Sequence, residues 1–509
     1  MKAIFRSWFR TRQDRIRRRL DKTHDTATSR PVLSASHIGY DVSHRHRAIA
    51  HGGLGAIHML AHQLGLPRAI DERLHLLKVH LPYHESDHVL NIAYNPLCHG
   101  TCLQDIDLRR HDDAFLDALG ARRIPDPTTA GDFCRRFTQS HIDALQDAID
   151  VARRNVWAEQ PASFFDRATI DMDGTLVGTT GSCKAGMDIA YDGTWGYHPL
   201  VVSLAETGEV LRVLNRPGNR PSHEEAAGQV DRAIWLCLQA RFRRIVLRGD
   251  TDFSQTQYLD RWHALPGVRF VFGYDARPNL TELADRLPAT AWKPLDRPAR
   301  YEVKTQPRRR PDNVKDRIVR ERGFEVLRLT SEEVAEFDYR PTACPNNYRM
   351  VVIRKHISRE KGERVLFPEV RHFFYLTNDR EATAAGIVFE ANDRCNQENL
   401  LAQLHGGVRA LSAPVNTLES NGAWMVMTAL AWTLKAWWAL MLPESPGRWQ
   451  TQHREEKHRV LRLEFKAFVS AFVTIPCEVV QTGRRVVLRV LGWNPYLMTF
   501  FRLLSRLRQ

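Results

Sequence analysis

The feature that most constrains the fold is an alternation of strand and helix patterns between residues 168 and 274. It opens with a strand and a hairpin whose turn is Glu206-Thr207-Gly208, followed by a helix, a short apolar strand, a second helix and a last strand. The segment Ser222-His223-Glu224-Glu225 has the pattern of a capping box for the first helix. The predicted strands are 168–176, 197–205, 209–214, 244–249 and 268–274, and the predicted helices are 222–240 and 254–264.

Three antiparallel strands that lead into a parallel strand are typical of an RNase-H-like α/β architecture. In that layout the ends of the first and fourth strands are neighbours. Asp173 in the first strand and Asp250 at the end of the fourth are therefore expected to meet across 77 residues of sequence. Asp171 lies on the same face as Asp173 and is the alternative to it, and Asp252 is the alternative to Asp250.

A third carboxylate is expected on a later helix. Residues 391–405 read as one helix, on which steps of four and eleven residues bring Arg394, Glu398 and His405 to one edge. Leu400, Leu401 and Leu404 form the apolar side of this helix. An Arg and a Glu one turn apart are also typical of a solvated ion pair, and that interpretation stays open.

The three carboxylates Asp173, Asp250 and Glu398 predict a site for divalent cations. Such a set can bind two cations about 4 Å apart, one to ionise a water or a 3′-hydroxyl and one to stabilise the leaving oxygen. Oxygen-only ligands favour Mg²⁺ or Mn²⁺ over zinc. Arg394 and His405 flank Glu398 and are predicted to hold the phosphates of the scissile strand.

The charge of the chain favours an anionic partner. The formal net charge is +14, which is typical of proteins that bind nucleic acid or an acidic membrane. Residues 1–30 form a basic arm containing Arg17, Arg18 and Arg19, which is interpreted either as a disordered tail or as a helix that contacts DNA phosphates. A compact all-helical module is predicted to follow at 45–158.

Two features argue against a membrane or secreted protein. The apolar segment 423–442 is long enough to span a bilayer, but its tryptophans are not confined to its ends, so we predict a buried core helix. The basic N-terminus is not followed by an apolar segment that would make a secretory signal. Eight cysteines without regular spacing predict reduced thiols and a cytoplasmic location.

Residues 276–385 are predicted to form a β-rich insertion on the DNA-facing side. This segment is rich in Pro and Arg at first and includes Arg308, Arg309 and Arg310. Alternating strands then follow. Trp292 either caps a small core or stacks on an unpaired base. Helices at 417–441 and 451–472 and a strand-like segment at 484–490 are predicted after it.

Five short segments together carry a family resemblance. They are Ile170-Asp171-Met172-Asp173-Gly174-Thr175, Gly196-Tyr197-His198-Pro199-Leu200, Leu214-Asn215-Arg216-Pro217-Gly218-Asn219, Leu247-Arg248-Gly249-Asp250 and 392–400. With them the chain resembles a bacterial insertion-sequence DDE transposase, most like the thirteen-eighty family of insertion sequences. Arg394 and Glu398 match the Tyr-x2-Arg-x3-Glu-x6-Lys signature of the wider superfamily, whereas Ala391 replaces its Tyr and His405 its Lys.

The resemblance implies the activity and the partners. It implies Asp173, Asp250 and Glu398 as a catalytic triad with two Mg²⁺ or Mn²⁺ ions, and a β-strand insertion before the Glu helix. It also implies cut-and-paste DNA transposition, by cleavage and strand transfer at the terminal inverted repeats of the element. The implied partners are double-stranded DNA and a second copy of the chain in a homodimer on DNA, in the cytoplasm and at the bacterial nucleoid.

The predicted organisation is an RNase-H-like α/β core interrupted by the β-rich insertion, with helical regions at both ends. The boundaries are 1–160 for the basic arm and helical DNA-binding region, 161–275 and 386–442 for the two parts of the core, 276–385 for the insertion and 443–509 for the helical C-terminal region.

Two other interpretations remain open. One is a DNA-binding protein of transposase descent that no longer cuts. The other is a zinc metallopeptidase, because His84-Glu85-Ser86-Asp87-His88 matches H-E-x-x-H.

Overall fold

The computed structural model describes residues 3–20, 37–43, 46–80, 82–297, 313–361, 364–482 and 485–507. Its helices are α1 (Ala3–Leu20), α2 (Leu54–Gln63), α3 (Leu66–Arg73), α4 (Glu85–Leu97), α5 (Ile106–Arg110), α6 (Asp113–Leu119), α7 (Pro127–Arg135), α8 (Gln139–Ala158), α9 (Ala226–Gln239), α10 (Thr256–His263), α11 (Pro278–Asp285), α12 (Val314–Glu321), α13 (Ala384–Asn392), α14 (Cys395–Ala402), α15 (Leu418–Leu440), α16 (Gln450–Leu461), α17 (Phe465–Phe468) and α18 (Leu497–Leu507).

Its strands are β1 (Ala48–Ile49), β2 (Ala168–Gly174), β3 (Val177–Gly178), β4 (Asp188–Ile189), β5 (Trp195–Tyr197), β6 (Leu200–Leu204), β7 (Glu209–Leu214), β8 (Ile245–Gly249), β9 (Val268–Tyr274), β10 (Lys293–Pro294), β11 (Glu325–Tyr339), β12 (Tyr348–Lys361), β13 (Arg364–Thr377), β14 (Cys477–Thr482) and β15 (Arg485–Val490).

A large mixed sheet organises the chain. The order of its strands is β10-β11-β12-β13-β9-β8-β2-β6-β7, in which β2, β8 and β9 are parallel and the other neighbours are antiparallel. The five strands predicted between residues 168 and 274 are present as β2, β6, β7, β8 and β9, so the prediction of these strands is confirmed. The protein is therefore mixed α/β.

The strands predicted as an insertion continue the same sheet. β13 pairs with β9 antiparallel, from Phe374 opposite Tyr274 to Thr377 opposite Val271. The charges of this region are largely paired within it, because Glu332 contacts both Arg297 and Lys355. Arg308, Arg309 and Arg310 lie outside the described residues.

α15 is the central helix of the interior. Its residues 420–440 are all buried, and it packs against α4, α8 and β7, so the prediction of a buried core helix is confirmed. No helix among the residues that the structure describes is long and apolar enough to cross a membrane.

Two predicted helices are wrong in detail. The capping box at Ser222 does not open a helix, since α9 begins at Ala226 after Glu225 in the left-handed region at φ 59°. Arg216 holds this segment in a non-helical conformation, because its Nη1 donates hydrogen bonds to the backbone carbonyl oxygens of Pro221, Ser222 and Glu224.

The C-terminal region is also less helical than predicted. The single helix expected at 451–472 is interrupted after Leu461 and ends in a π-helical turn at Val469–Val473. The strand-like segment expected at 484–490 is confirmed as β15, which pairs with β14, and β14 pairs in turn with β1.

Candidate functional site

The first two predicted carboxylates lie at the same edge of the sheet. In the parallel pairing of β2 with β8, Asp171 lies opposite Arg248. Asp173 follows Asp171 by two residues, and Asp250 follows Arg248 by two residues. β8 ends at Gly249, and the carboxylate of Asp250 then accepts a hydrogen bond from the backbone N–H of Asp252 at 3.0 Å. The prediction that the ends of these strands are neighbours is confirmed.

Burial and mutual repulsion disfavour the charged forms of these acids. Burial raises the pKa of Asp173 to about 6; the guanidinium of Arg394 opposes the rise, whereas Asp250 and Glu398 add to it. Burial also raises the pKa of Asp250, with Arg394 again opposing and Asp252 adding. Glu398 therefore adds to the electrostatic repulsion at Asp173.

Asp171 forms a buried salt bridge with Arg248. Arg248 donates to both of its carboxylate oxygens, with Nε at 2.7 Å and Nη2 at 2.8 Å, and both side chains are almost fully buried. Arg248 Nη1 also lies 3.2 Å from Glu390 Oε1. This bidentate pair occupies Asp171, which favours Asp173 over Asp171 as the metal ligand.

The helix that carries Glu398 is not the continuous one predicted at 391–405. α13 ends at Asn392 and α14 begins at Cys395, so Arg394 stands at the N-cap, and the chain passes into a π-helical turn at Gln403–Gly407. The run of Asn and Asp at 392–396 explains the break, because these side chains compete with helical backbone bonds.

Buried contacts anchor α14 to the sheet. Gln397 is buried, donates from Nε2 to Val201 O at 3.2 Å and accepts a hydrogen bond from Ser203 Oγ. Leu400 and Leu404 are also buried. Glu398, next to Gln397, is exposed in the first turn of α14.

Arg394 contacts the end of β2 directly. Its Nη2 lies 3.3 Å from Asp173 Oδ2 and 3.4 Å from Met172 O. Its Nε is buried and meets no hydrogen-bond partner among the residues described. Arg394 therefore supplies a positive charge beside the two aspartates.

His405 reaches the same edge by another route. The π-helical turn places its Nε2 3.0 Å from Thr175 Oγ1, two residues beyond Asp173, and burial lowers the pKa of the imidazole. Arg394 at the N-cap and Glu398 remain one turn apart on α14, whereas a π turn interrupts the continuous helix that was predicted to bring His405 to the same edge.

The carboxylate oxygens suit a hard cation, but the side chains that the structure describes do not converge on one position for it. Carboxylate oxygens are the ligands that Mg²⁺ and Mn²⁺ prefer. Yet no three His, Cys, Asp or Glu side chains within the described ranges converge so as to hold a metal ion. The carboxylate oxygens fit the cation in chemistry, whereas Arg394 pairs with Asp173 and the side chain of Glu398 is exposed on α14.

The residues predicted to bind DNA have different surroundings. Arg17, Arg18 and Arg19 are exposed in the last turn of α1, which packs through Phe9 against Phe501 with ring centroids 5.5 Å apart. Trp292 is buried, and the guanidinium of Arg354 lies 4.0 Å from its ring centroid. Stacking of Trp292 on a base is therefore contradicted, and the alternative that it caps a small core is supported.

The zinc interpretation is also contradicted. Glu85 is fully buried and accepts from the backbone N–H groups of Leu76 and Leu77 at 3.0 Å. His88 is stacked on Phe133 with centroids 4.3 Å apart. Neither the base nor the second imidazole of the H-E-x-x-H pattern is free to act on a metal.

Two residues of the site were missed in the sequence. A buried Arg inside an apolar strand requires a buried carboxylate, and this signal could have paired Arg248 with Asp171. Gln397 gives no such signal, because an amide between Asn396 and Glu398 is unremarkable on an exposed helix.

Comparisons with known proteins identify the family to which the chain belongs. A search of curated proteins finds no match. Among solved structures, the chain is similar to piggyBac transposase in a synaptic complex with hairpin DNA, with 10% sequence identity, a TM-score of 0.38 and coverage of 83% of this chain and 81% of that one. The family model "Transposase DDE domain group 1" matches residues 34–509. The chain belongs to this family of DDE transposases.

Proposed function

We propose that the protein is an active DDE transposase that binds the terminal inverted repeats of its own insertion sequence. It would catalyse metal-dependent cleavage and strand transfer in cut-and-paste DNA transposition. The observation that carries the proposal is the meeting of Asp173 and Asp250 at the ends of adjacent parallel strands, with the helix of Glu398 held against β6 by Gln397.

The strand order supports an RNase-H-like core. In β7-β6-β2-β8-β9 the first strand is central, an antiparallel hairpin lies on one side and two parallel strands lie on the other. The carboxylates then lie at the carboxyl edge of the parallel strands, where open α/β sheets bind their ligands.

Asp173, Asp250 and Glu398 would hold two Mg²⁺ or Mn²⁺ ions. Bound there, the cations would supply the positive charge that polarises the scissile phosphate and its attacking hydroxyl. The protein's own part is to aim the carboxylates: the strands fix Asp173 and Asp250, and the bonds of Gln397 to β6 set the position of α14 and Glu398.

The basic residues at this edge would orient the DNA. Arg394, whose guanidinium lies beside Asp173, would hold a phosphate of the cleaved strand. His405 can contribute a hydrogen bond beside it, although the neutral imidazole binds phosphate less firmly than a lysine would. Arg17, Arg18 and Arg19 supply affinity that does not depend on sequence.

The family assignment also supports the finer proposals. We infer an insertion sequence of the thirteen-eighty type in a bacterium, double-stranded DNA as the partner at both ends and at the target, and a homodimer that holds both ends at the nucleoid.

The decisive experiment is Mg²⁺-dependent cleavage of a labelled duplex that carries the end of the element encoding this chain. Asp250→Asn and Glu398→Gln should each abolish cleavage while DNA binding persists. Asp252→Asn is the matched control, because Asp252 contacts Asp250 through its backbone, and it should retain most of the activity.

Cleavage that survives in Asp250→Asn would refute the metal-site assignment. A wild-type chain that binds the ends but never cuts them, under any divalent cation, would favour the DNA-binding protein that has lost catalysis.

A further inference from the structure

A cleft of about 810 Å³ lies behind α14. Asn396, Asn399 and Leu400 of α14 line one wall, and the turn between β6 and β7, α15 and the end of α16 form the others. At about 100° per residue these three side chains share one face of the helix, and Glu398 lies on the opposite face. The volume is typical of a site for a small molecule, and the site is distinct from the one predicted to hold cations.

Lys435 is a buried cation in this cleft. Its side chain is 1% exposed, and of its three ammonium donors one is accepted by Leu461 O at 2.7 Å. Its Nζ also lies 3.9 Å from the ring centroid of Trp432. No carboxylate among the residues that the structure describes pairs with this ammonium, and burial lowers the pKa of Lys435 to about 7. Since a buried charge without a counter-ion is costly, an anion in the cleft would stabilise it.

The other ionisable groups of the cleft leave it mainly basic. Three of its four acids already form salt bridges with Arg167 or Arg248, namely Glu206, Glu390 and Asp393. The fourth, Glu464, is exposed. His458 and Arg462 line the cleft one helical turn apart, are exposed, and have no side-chain hydrogen bond or ion pair in the described part of the chain. The groups available to a ligand therefore favour an anion.

We propose that this cleft binds a small organic phosphate, with its phosphate at Lys435 and Arg462 and its apolar part against Leu461 and Leu463. A phosphate dianion matches the charge of a lysine and an arginine, and a guanidinium can bind two phosphate oxygens at once. The leucines favour an organic molecule over a bare ion. A phosphate of a DNA duplex is a poor fit, because Lys435 is only 1% exposed and a duplex is too wide to follow it into the cleft.

Such a molecule would contact α14 on one side and the α15–α16 corner on the other. It would restrict movement of the helix that carries Glu398, from the face that Glu398 does not use. The cleft would therefore regulate the position of Glu398. Binding itself does not rest on the proposed function, since it requires neither DNA nor a divalent cation.

The test is calorimetric titration of the full-length chain, without DNA and in EDTA, with phenyl phosphate as the probe. We expect saturable binding of one molecule per chain, tighter than that of inorganic phosphate because the phenyl ring gains the apolar contacts. A short DNA duplex should not displace the probe. Displacement by the duplex would assign the cleft to the DNA backbone and overturn the proposal of a free ligand.

Three variants assign the contact. Lys435→Met keeps the length of the side chain but removes its charge, so it should weaken binding of phenyl phosphate roughly tenfold or more. Without ligand it should unfold at the same urea concentration as wild type or at a higher one, because an uncompensated buried charge is removed. Arg462→Gln, at an exposed position, should also weaken binding roughly tenfold. Arg459→Gln, on the exposed surface of α16 and outside the cleft, is the matched control and should bind as wild type does.

Hydrogen–deuterium exchange tests the link to α14. The probe should slow exchange of the backbone amides of α14 in wild type and not in Lys435→Met. Loss of stability in Lys435→Met with no saturable binding by wild type would show that Lys435 serves only its bond to Leu461 O, and would overturn the proposal. Binding that is unchanged in both Lys435→Met and Arg462→Gln would overturn it as well. Absence of Mg²⁺-dependent DNA cleavage would overturn the proposed function and leave this site standing.

Discussion

Arg394 Nη2 lies 3.3 Å from Asp173 Oδ2, so an arginine occupies the position from which a cation would neutralise this carboxylate. The same guanidinium opposes the rise in the pKa of Asp250 that burial causes, which means that its charge acts on both aspartates. The free protein thus carries an internal counter-ion at its candidate metal site.

Removal of this counter-ion should improve metal binding. In Arg394→Ala without DNA, the affinity for Mn²⁺ should rise about tenfold, because one positive charge is lost within a few ångströms of the ligands. Calorimetry or electron paramagnetic resonance of bound Mn²⁺ measures this. Arg409→Ala, at an exposed position, should leave the affinity unchanged. Weaker Mn²⁺ binding in Arg394→Ala would show that the arginine supports the site rather than occupying it.

The raised pKa of Asp173 predicts a dependence of stability on pH. Because the folded-state pKa is about 6 and the ordinary value is 3.8, the charged form is disfavoured in the fold, and stability falls as the pH rises from about 4 to about 6. Asp173→Asn imitates the neutral acid and should be more stable than wild type by about 3 kcal/mol at pH 7 and by only about 0.5 kcal/mol at pH 4. Urea unfolding in EDTA at both pH values tests this. Equal stabilisation at pH 4 and pH 7 would rule out titration as the cause.

The Asp171–Arg248 pair should matter for folding and not for the metal. Asp171→Ala removes the bidentate partner of a buried guanidinium and leaves Glu390 and Asp393 beside it, so the free energy of unfolding should fall by about 3 kcal/mol. Mn²⁺ affinity of the folded fraction should stay within twofold of wild type. If Asp171→Ala were as stable as wild type but had lost Mn²⁺ binding, Asp171 would replace Asp173 as the ligand.

The arginines of α1 should contribute to DNA binding through salt-dependent contacts. Replacement of Arg17, Arg18 and Arg19 by Gln should reduce the slope of log K against log salt by up to about 3, since each lost phosphate contact removes about 0.9. The control changes Arg68, Arg286 and Arg317, three exposed arginines that each pair with a Glu on their own helix. An identical slope in both triple variants would place the DNA elsewhere on the chain.

The central strands and the pair Asp173/Asp250 could be predicted from the sequence, because short apolar runs with flanking helices determine a parallel register almost by themselves. The geometry around Glu398 could not be predicted from the sequence. A count of helical periods assumes an unbroken helix, whereas α13 ends at Asn392. The Asn and Asp residues at 392–396 favour this break but do not show that Arg394 will contact Asp173. Long-range contacts of this kind leave no local pattern.

The insertion shows the same limit. Its strands could be recognised by alternation, but the partner of the last one could not, because pairing of β13 with β9 depends on which edge of the central sheet is free. Likewise, the sequence left open whether Trp292 caps a small core or stacks on a base, because the residue that covers its ring, Arg354, comes from a strand 62 residues later.

The pairing of β13 with β9 has a consequence for the design of truncated variants. Residues 276–385 cannot be cut out as a detachable module, because β9 would then become a bare edge that exposes Val271 and Phe272 and a row of unpaired amides. An unpaired strand edge can form hydrogen bonds with the same edge of another copy, so a shortened chain should aggregate rather than lose a single function.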